Sequence, residues 1–147
     1  MSINWQNLRT LNNSQNASFE ELCSQLAAYE PAPPGSQFIR KAAPDAGIEC
    51  YWILPNGNEF GWQAKFFLSV PGATQWKELD DSIKTALAKH PRLASLTVCL
   101  PIDRQDPRLN KQAWFMDKWN NHVLKWNRWA HTAGLALEFK YWGSHES

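Results

Sequence analysis

Hydrophobic positions in this chain fall into short blocks whose spacing switches between the two regular periods. Phe19, Leu22, Cys23, Leu26 and Ala27 recur at steps of three and four, which predicts one buried face of a helix. Ser18-Phe19-Glu20-Glu21 has the form of a capping box, with Ser18 as N-cap and Glu21 reaching back to it. Pro31-Ala32-Pro33-Pro34-Gly35 ends the helix, since proline brings no amide hydrogen and clashes with the preceding turn. Three runs rich in β-formers follow, at Gln37 to Lys41, Ile48 to Leu54 and Phe60 to Leu68. Pro55-Asn56-Gly57-Asn58 is a strong turn signal and predicts a hairpin between the last two.

A second helix is expected from about Trp76 to Lys89, with Trp76, Leu79, Ile83, Ala86 and Leu87 on one face and His90-Pro91 as its stop. Leu96 to Leu100 reads as a strand buried on both faces, about Lys111 to Thr132 as a third helix, and Leu135 to Trp142 as a last strand. The order α-β-β-β-α-β-α-β predicts an α/β fold: a mixed β-sheet flanked by helices, with an antiparallel hairpin and a crossover helix leading to a parallel strand.

Composition narrows the class. At 147 residues one domain is expected over 1–147, with a polar lead-in over 1–16. Hydrophobic residues at 44% and charged residues at 20% suit a globular chain and exclude a disordered tail or a coiled coil. No run approaches the roughly 18 apolar residues of a membrane span. The start, MSINWQNLRT, lacks a signal peptide's apolar core. Cys23, Cys50 and Cys99 sit singly in apolar runs, with no CxxC and no Cys/His cluster, so neither a disulfide framework nor a zinc site is expected and a cytoplasmic location is the default. The net charge of +1 confines any nucleic-acid contact to one face or to help from a partner.

Polar residues inside the predicted strands carry the candidate chemistry. Glu49 is flanked by Ile48, Cys50, Tyr51 and Trp52, and Gln63 and Lys65 sit within Trp62-Gln63-Ala64-Lys65-Phe66-Phe67. Side chains alternate along a strand, so Gln63 and Lys65 share a face, and a hairpin brings Glu49 beside them. Such a set suits phosphodiester hydrolysis. Oxygen ligands hold Mg²⁺, with Mn²⁺ as a substitute, and a lysine orients or deprotonates the attacking water. The first helix supplies a further acid: at about 100° per residue Glu20 borders the buried arc, while Glu21 lies opposite it. The grouping requires a hairpin turn of odd length or a bulge, because an even turn sets Glu49 against Ala64.

At these residues the sequence resembles the PD-(D/E)XK nuclease superfamily, in particular the Mrr-type restriction endonucleases. The parallel runs in order through Phe19-Glu20-Glu21-Leu22, Pro44-Asp45-Ala46-Gly47-Ile48-Glu49 and Gln63-Ala64-Lys65, within roughly Ser18 to Leu100. The resemblance implies a restriction-endonuclease-like core and Mg²⁺-dependent endonucleolytic cleavage of double-stranded DNA. It gives Glu49 the central metal-ligand position, Gln63 the acidic-or-Gln position and Lys65 that of the catalytic lysine. Asp45 falls on the first acid of its segment and Glu20 on the helix acid, so the metal set is Glu20, Asp45, Glu49 and Gln63. Glu replaces the usual Asp at 49, which leaves Glu49 and Asp45 as alternative principal ligands. Lys84 to Pro91 and Trp142-Gly143-Ser144 are similar to N-terminal nuclease domains of bacterial antiviral proteins, including STAND-type NTPases. That implies an anti-phage effector at the N-terminus of a longer protein, with its other domains and a homo-oligomeric assembly as partners.

The rival reading is a catalytically silent module of the same fold, in which the hairpin residues are solvated surface and a Trp-rich helix binds protein; RNA is an alternative substrate. Trp114, Trp119, Trp126 and Trp129, from a total of nine Trp, are read as a packed helix face in preference to a base-stacking platform. Cys50 is expected to be a small buried apolar residue. His90, His122, His131 and His145 lack the spacing of a ligand set.

Overall fold

The computed structural model describes residues 15–45, 47–67, 71–101 and 109–143. Its elements follow the expected order: α1 (Gln15–Ala28), β1 (Gln37–Asp45), β2 (Ile48–Ile53), β3 (Glu59–Ala64), α2 (Ala73–Lys89), β4 (Leu93–Cys99), α3 (Leu109–Thr132) and β5 (Glu138–Trp142). The sheet runs β1-β2-β3-β4-β5. The first three strands are antiparallel, and β3, β4 and β5 are parallel. The structure is therefore α/β with a mixed five-stranded open sheet. No described helix is long and apolar enough to cross a membrane.

Strand alternation divides the core in two. Against α1, Cys50, Trp62, Ala64 and Cys99 pack with Phe19, Cys23 and Ala27. On the opposite face, Leu96 and Val98 pack beneath α2 and α3 with Trp76, Leu79, Ile83, Phe115, Trp119 and Trp126. The Trp-rich helix is thus a packed face at Trp119 and Trp126, and Trp129 is half-buried with the Lys84 and Lys125 ammonium groups over its ring. The side chain of Trp114 lies outside the described residues. Cys23, Cys50 and Cys99 are free and buried, as their apolar settings predict.

Two local expectations are corrected. The first helix begins at Gln15, so Ser18 lies within it and is not its N-cap. Ser18 and Phe19 are both buried, so Ser18 does not sit at an exposed helix end. Glu21 is correspondingly no cap: it accepts a hydrogen bond from Gln25 at 2.9 Å and pairs with Arg40 of β1.

The hairpin turn fixes the register at the site. Leu54–Asn58 joins β2 to β3 with five residues, an odd number. Leu54 N–H donates to Asn58 O, and Gly57, at φ +88°, takes a left-handed conformation that costs glycine little. Cys50 then lies opposite Trp62, which sets Glu49 level with Gln63. α2 begins at Ala73 with Gly72 as its N-cap, beyond the C-terminal end of β3, and α3 returns the chain to β5.

A polar clamp joins the two helices of the second layer. Asp80 of α2 accepts hydrogen bonds from three groups of α3: His122 Nδ1 at 3.2 Å, Lys125 Nζ at 2.6 Å and Trp126 Nε1 at 2.8 Å. Burial alone would raise the Asp80 pKa, but the three donors outweigh it and hold the carboxyl below its usual value. Burial lowers the pKa of His122 against the pull of Asp80.

Removing that carboxylate strands three donors at a helix interface. Asp80→Ala is expected to lower the unfolding free energy in urea by about 2 kcal/mol. Asp81→Ala, which removes an exposed pair with Lys77, is expected to change it by less than about 0.5 kcal/mol. Equal effects would show that Asp80 contributes only surface charge.

Candidate functional site

The candidate site forms where the β1–β2 ladder breaks. Arg40 pairs with Cys50 and Asp45 with Ile48, so five steps of β1 run beside two of β2, and Glu49 falls in the gap. Alternation breaks there as well: Ile48 packs with Leu96 on the α2–α3 face and Cys50 on the α1 face. Glu49 Oε2 accepts the backbone N–H of Ala64 at 2.8 Å, a side chain serving where the ladder has ended. Lys65 N–H donates to Cys99 O at 3.0 Å, which carries β3 one residue further along β4 and fixes the base of the lysine.

Three charged groups converge at this end of the sheet. Burial pushes the Glu49 carboxyl up to about 7. The Ala64 amide opposes that shift, Glu20 adds to it by like charge, and Lys65 opposes it. Burial likewise raises Glu20, with Lys65 acting in the other direction. Glu20, Glu49 and Lys65 therefore lie within electrostatic reach of one another, drawn from α1, β2 and the end of β3. Phe19, next to Glu20, anchors α1 here by packing on Phe66 with ring centroids 5.7 Å apart.

Gln63 is placed differently. Its side chain is fully buried, and neither amide atom has a hydrogen-bond partner. A Cβ at Gly47 would lie 2.9 Å from Gln63 Nε2 and 3.1 Å from Ser82 O, so the amide sits between the 47 turn and α2. Gly47 has φ +90°, and this close approach explains the glycine ahead of Ile48-Glu49 in physical terms. Thus Glu20, Glu49 and Lys65 lie within electrostatic reach of one another, while the Gln63 amide sits between the 47 turn and α2. The backbone of Asp45 closes β1 opposite Ile48; its side chain lies outside the described residues.

The donors bear directly on a metal. Among the described residues no group of three or more His, Cys, Asp and Glu side chains is arranged to hold an ion. The two carboxylates nevertheless fit Mg²⁺, which is often held by one or two carboxylates while water and phosphate oxygens complete its shell. Both carboxyls are raised by burial, and like charge raises Glu49 further; a divalent cation relieves both effects. The nearby thiols serve no such chemistry. Burial pushes Cys50 up to about 12 and raises Cys99 well above its ordinary value, leaving both protonated.

Sequence reasoning overlooked the Asp80–His122 contact, which borders a cavity of about 300 Å³ at the start of α2. The ring of His122 stacks on Trp76 at 4.2 Å. Asp80 directly follows Leu79 of the buried arc, but its partners lie more than 40 residues away and carry no local pattern. His90 ends α2 as expected and also bonds Glu59 through Nδ1 at 2.9 Å, a packed pair of the interior.

Comparison with protein-family models, with curated proteins and with solved structures returns no match to this chain.

Proposed function

We propose that this chain is a metal-dependent nuclease of the PD-(D/E)XK type that hydrolyses phosphodiester bonds in double-stranded DNA, and that it serves as the effector of an anti-phage defence protein. The observation that carries the chemistry is a partly buried Glu49 within electrostatic reach of Glu20 and Lys65 at the end of the β2–β3 hairpin. The ordered Glu20, Gly47-Ile48-Glu49 and Gln63-Ala64-Lys65 segments support the same reading.

In this mechanism Glu20 and Glu49, joined by Asp45, hold Mg²⁺. The metal supplies Lewis acidity at the scissile phosphate and a bound water of lowered pKa. Glu49 is fixed through Ala64 N–H, so one carboxylate oxygen is committed to the backbone and the other is left for ligation. Lys65 orients or deprotonates the attacking water and stabilises negative charge developing on phosphorus. Gln63 supports the turn that carries Glu49 from behind, through its position against Gly47.

Cleavage of supercoiled plasmid in Mg²⁺ tests the reading. The wild type is expected to cut, Lys65→Ala to lose about 100-fold or more in rate, and Glu49→Ala to lose activity together with calorimetric Mg²⁺ binding. Cutting that survives both substitutions would place the chemistry elsewhere. Failure of the wild type to bind Mg²⁺ or Mn²⁺ would favour the silent interaction module.

Glu49 also predicts a pH dependence in the metal-free protein. Its folded pKa is raised above the unfolded value, so its contribution to stability is fully present below about pH 4.3 and is lost as pH rises through about 7. The loss is on the order of 3 kcal/mol. Thermal melts without metal should therefore fall between pH 5 and pH 8. Glu49→Gln should flatten that fall, and Mg²⁺ should raise the wild-type melting temperature more at pH 8 than at pH 5. A wild-type profile unchanged by Glu49→Gln would remove Glu49 as the titrating group.

A further inference from the structure

β5 is the last strand of the sheet, and among the described residues no strand lies beyond it. Backbone parity shows which of its groups face outward. Leu100 N–H donates to Trp142 O at 2.9 Å, so the backbone groups of Trp142 face β4. Alternation then turns those of Lys140 and Glu138 to β4 as well, and those of Phe139 away from it, along the open edge. The side chains of Glu138 and Lys140 share one face and are exposed, while Phe139 packs on the other face against Trp126 at 5.6 Å.

An outward N–H and C=O flanked by opposite charges two residues apart is self-complementary. When β5 meets a second β5 antiparallel, a two-fold axis at Phe139 lets the two Phe139 residues exchange both backbone hydrogen bonds. The same register sets Glu138 of each copy opposite Lys140 of the other, in the non-hydrogen-bonded positions where cross-strand side chains approach most closely. An axis at Lys140 would instead oppose two lysines, and an axis at Tyr141 would leave Glu138 and Lys140 unmatched. Charge therefore selects one register. A lone edge lysine guards a strand against pairing; placed two residues from a glutamate on the same face, it favours pairing with a copy of itself.

We infer that the β5 edge is a homodimer interface, in which two copies of this chain join their sheets through antiparallel β5 strands centred on Phe139, held by reciprocal Glu138–Lys140 pairs. Such a dimer forms a continuous ten-stranded sheet with the Glu49 sites at separate places on it. The inference is independent of the proposed chemistry.

Sedimentation equilibrium of the whole chain over micromolar to millimolar concentrations tests it at low salt. The wild type is expected to dimerise reversibly. Lys140→Glu and Glu138→Lys each turn two attractive pairs into two repulsive ones and should raise the dissociation constant about tenfold or more. An equimolar mixture of the two variants restores both pairs and should dimerise like the wild type, as should the double variant Glu138→Lys/Lys140→Glu. Far-UV circular dichroism of each variant should match the wild type, and recovery in the mixture shows that both variants remain folded. A wild type monomeric throughout, or a dimer indifferent to these charges, would overturn the interface. Neither result would touch cleavage, which is assayed separately.

Discussion

The hydrogen bond from Ala64 N–H to Glu49 Oε2 is the constraint on which this end of the molecule depends. An acidic side chain occupies a place where a strand would ordinarily offer a carbonyl, because the β2–β3 ladder ends at Cys50 and Trp62, short of Ala64. Three consequences follow from that substitution. β2 changes face between Ile48 and Cys50, so that one short strand supplies both halves of the core. The carboxylate is drawn into the protein, which raises its pKa. Glu20 and Lys65 then act on it from α1 and from the end of β3, and a polar site results from an interrupted ladder.

The two faces of the sheet hold the site by different means. On the α1 side, support is chiefly apolar: Phe19, Cys23 and Ala27 against Cys50, Trp62, Ala64 and Cys99, with Trp52 Nε1 donating to Ala27 O at 2.9 Å at the end of the helix. A helix held in this way keeps Glu20 near Glu49 despite their like charge. The α2 side is clamped by Asp80 to α3 and pressed onto the 47 turn, where Ser82 and Gln63 leave no room for a Cβ.

Much of the fold could be read from the sequence because its signals were local. Pro55-Asn56-Gly57-Asn58 and the apolar runs around it were enough to foresee a hairpin, and an odd turn length determined which residues lie level across it. Helix ends were less legible. A Ser-x-x-Glu pattern suggested a start at Ser18, yet the helix spans Gln15–Ala28 and Ser18 is a buried residue within it. Strand alternation also predicted that Gln63 and Lys65 would converge. The break at Glu49 and the end of β3 intervene, and they depend on β1 residues paired across the sheet, which a periodicity within one strand does not register. Asp80 and its α3 partners were hidden for the same reason, since the contact is made by tertiary packing alone.

The energetics of the site argue that stability is not its purpose. A carboxylate with pKa near 7 is a liability in a core, and Gln63 places two further unsatisfied polar atoms beside the same turn. An unpaired buried polar group costs about 1–3 kcal/mol, so an apolar residue of similar volume at 63 would make a firmer hairpin. Stability is recovered elsewhere, in the aromatic packing of Trp76, Phe115, Trp119 and Trp126 and in the clamp at Asp80. Local cost of this kind, offset by a well-packed remainder, is compatible with the metal site proposed above. In that proposal a cation would offset the charge that the two carboxylates hold at a disadvantage when alone. The lysine alone leaves that imbalance unrelieved, because both carboxyls remain raised in its presence.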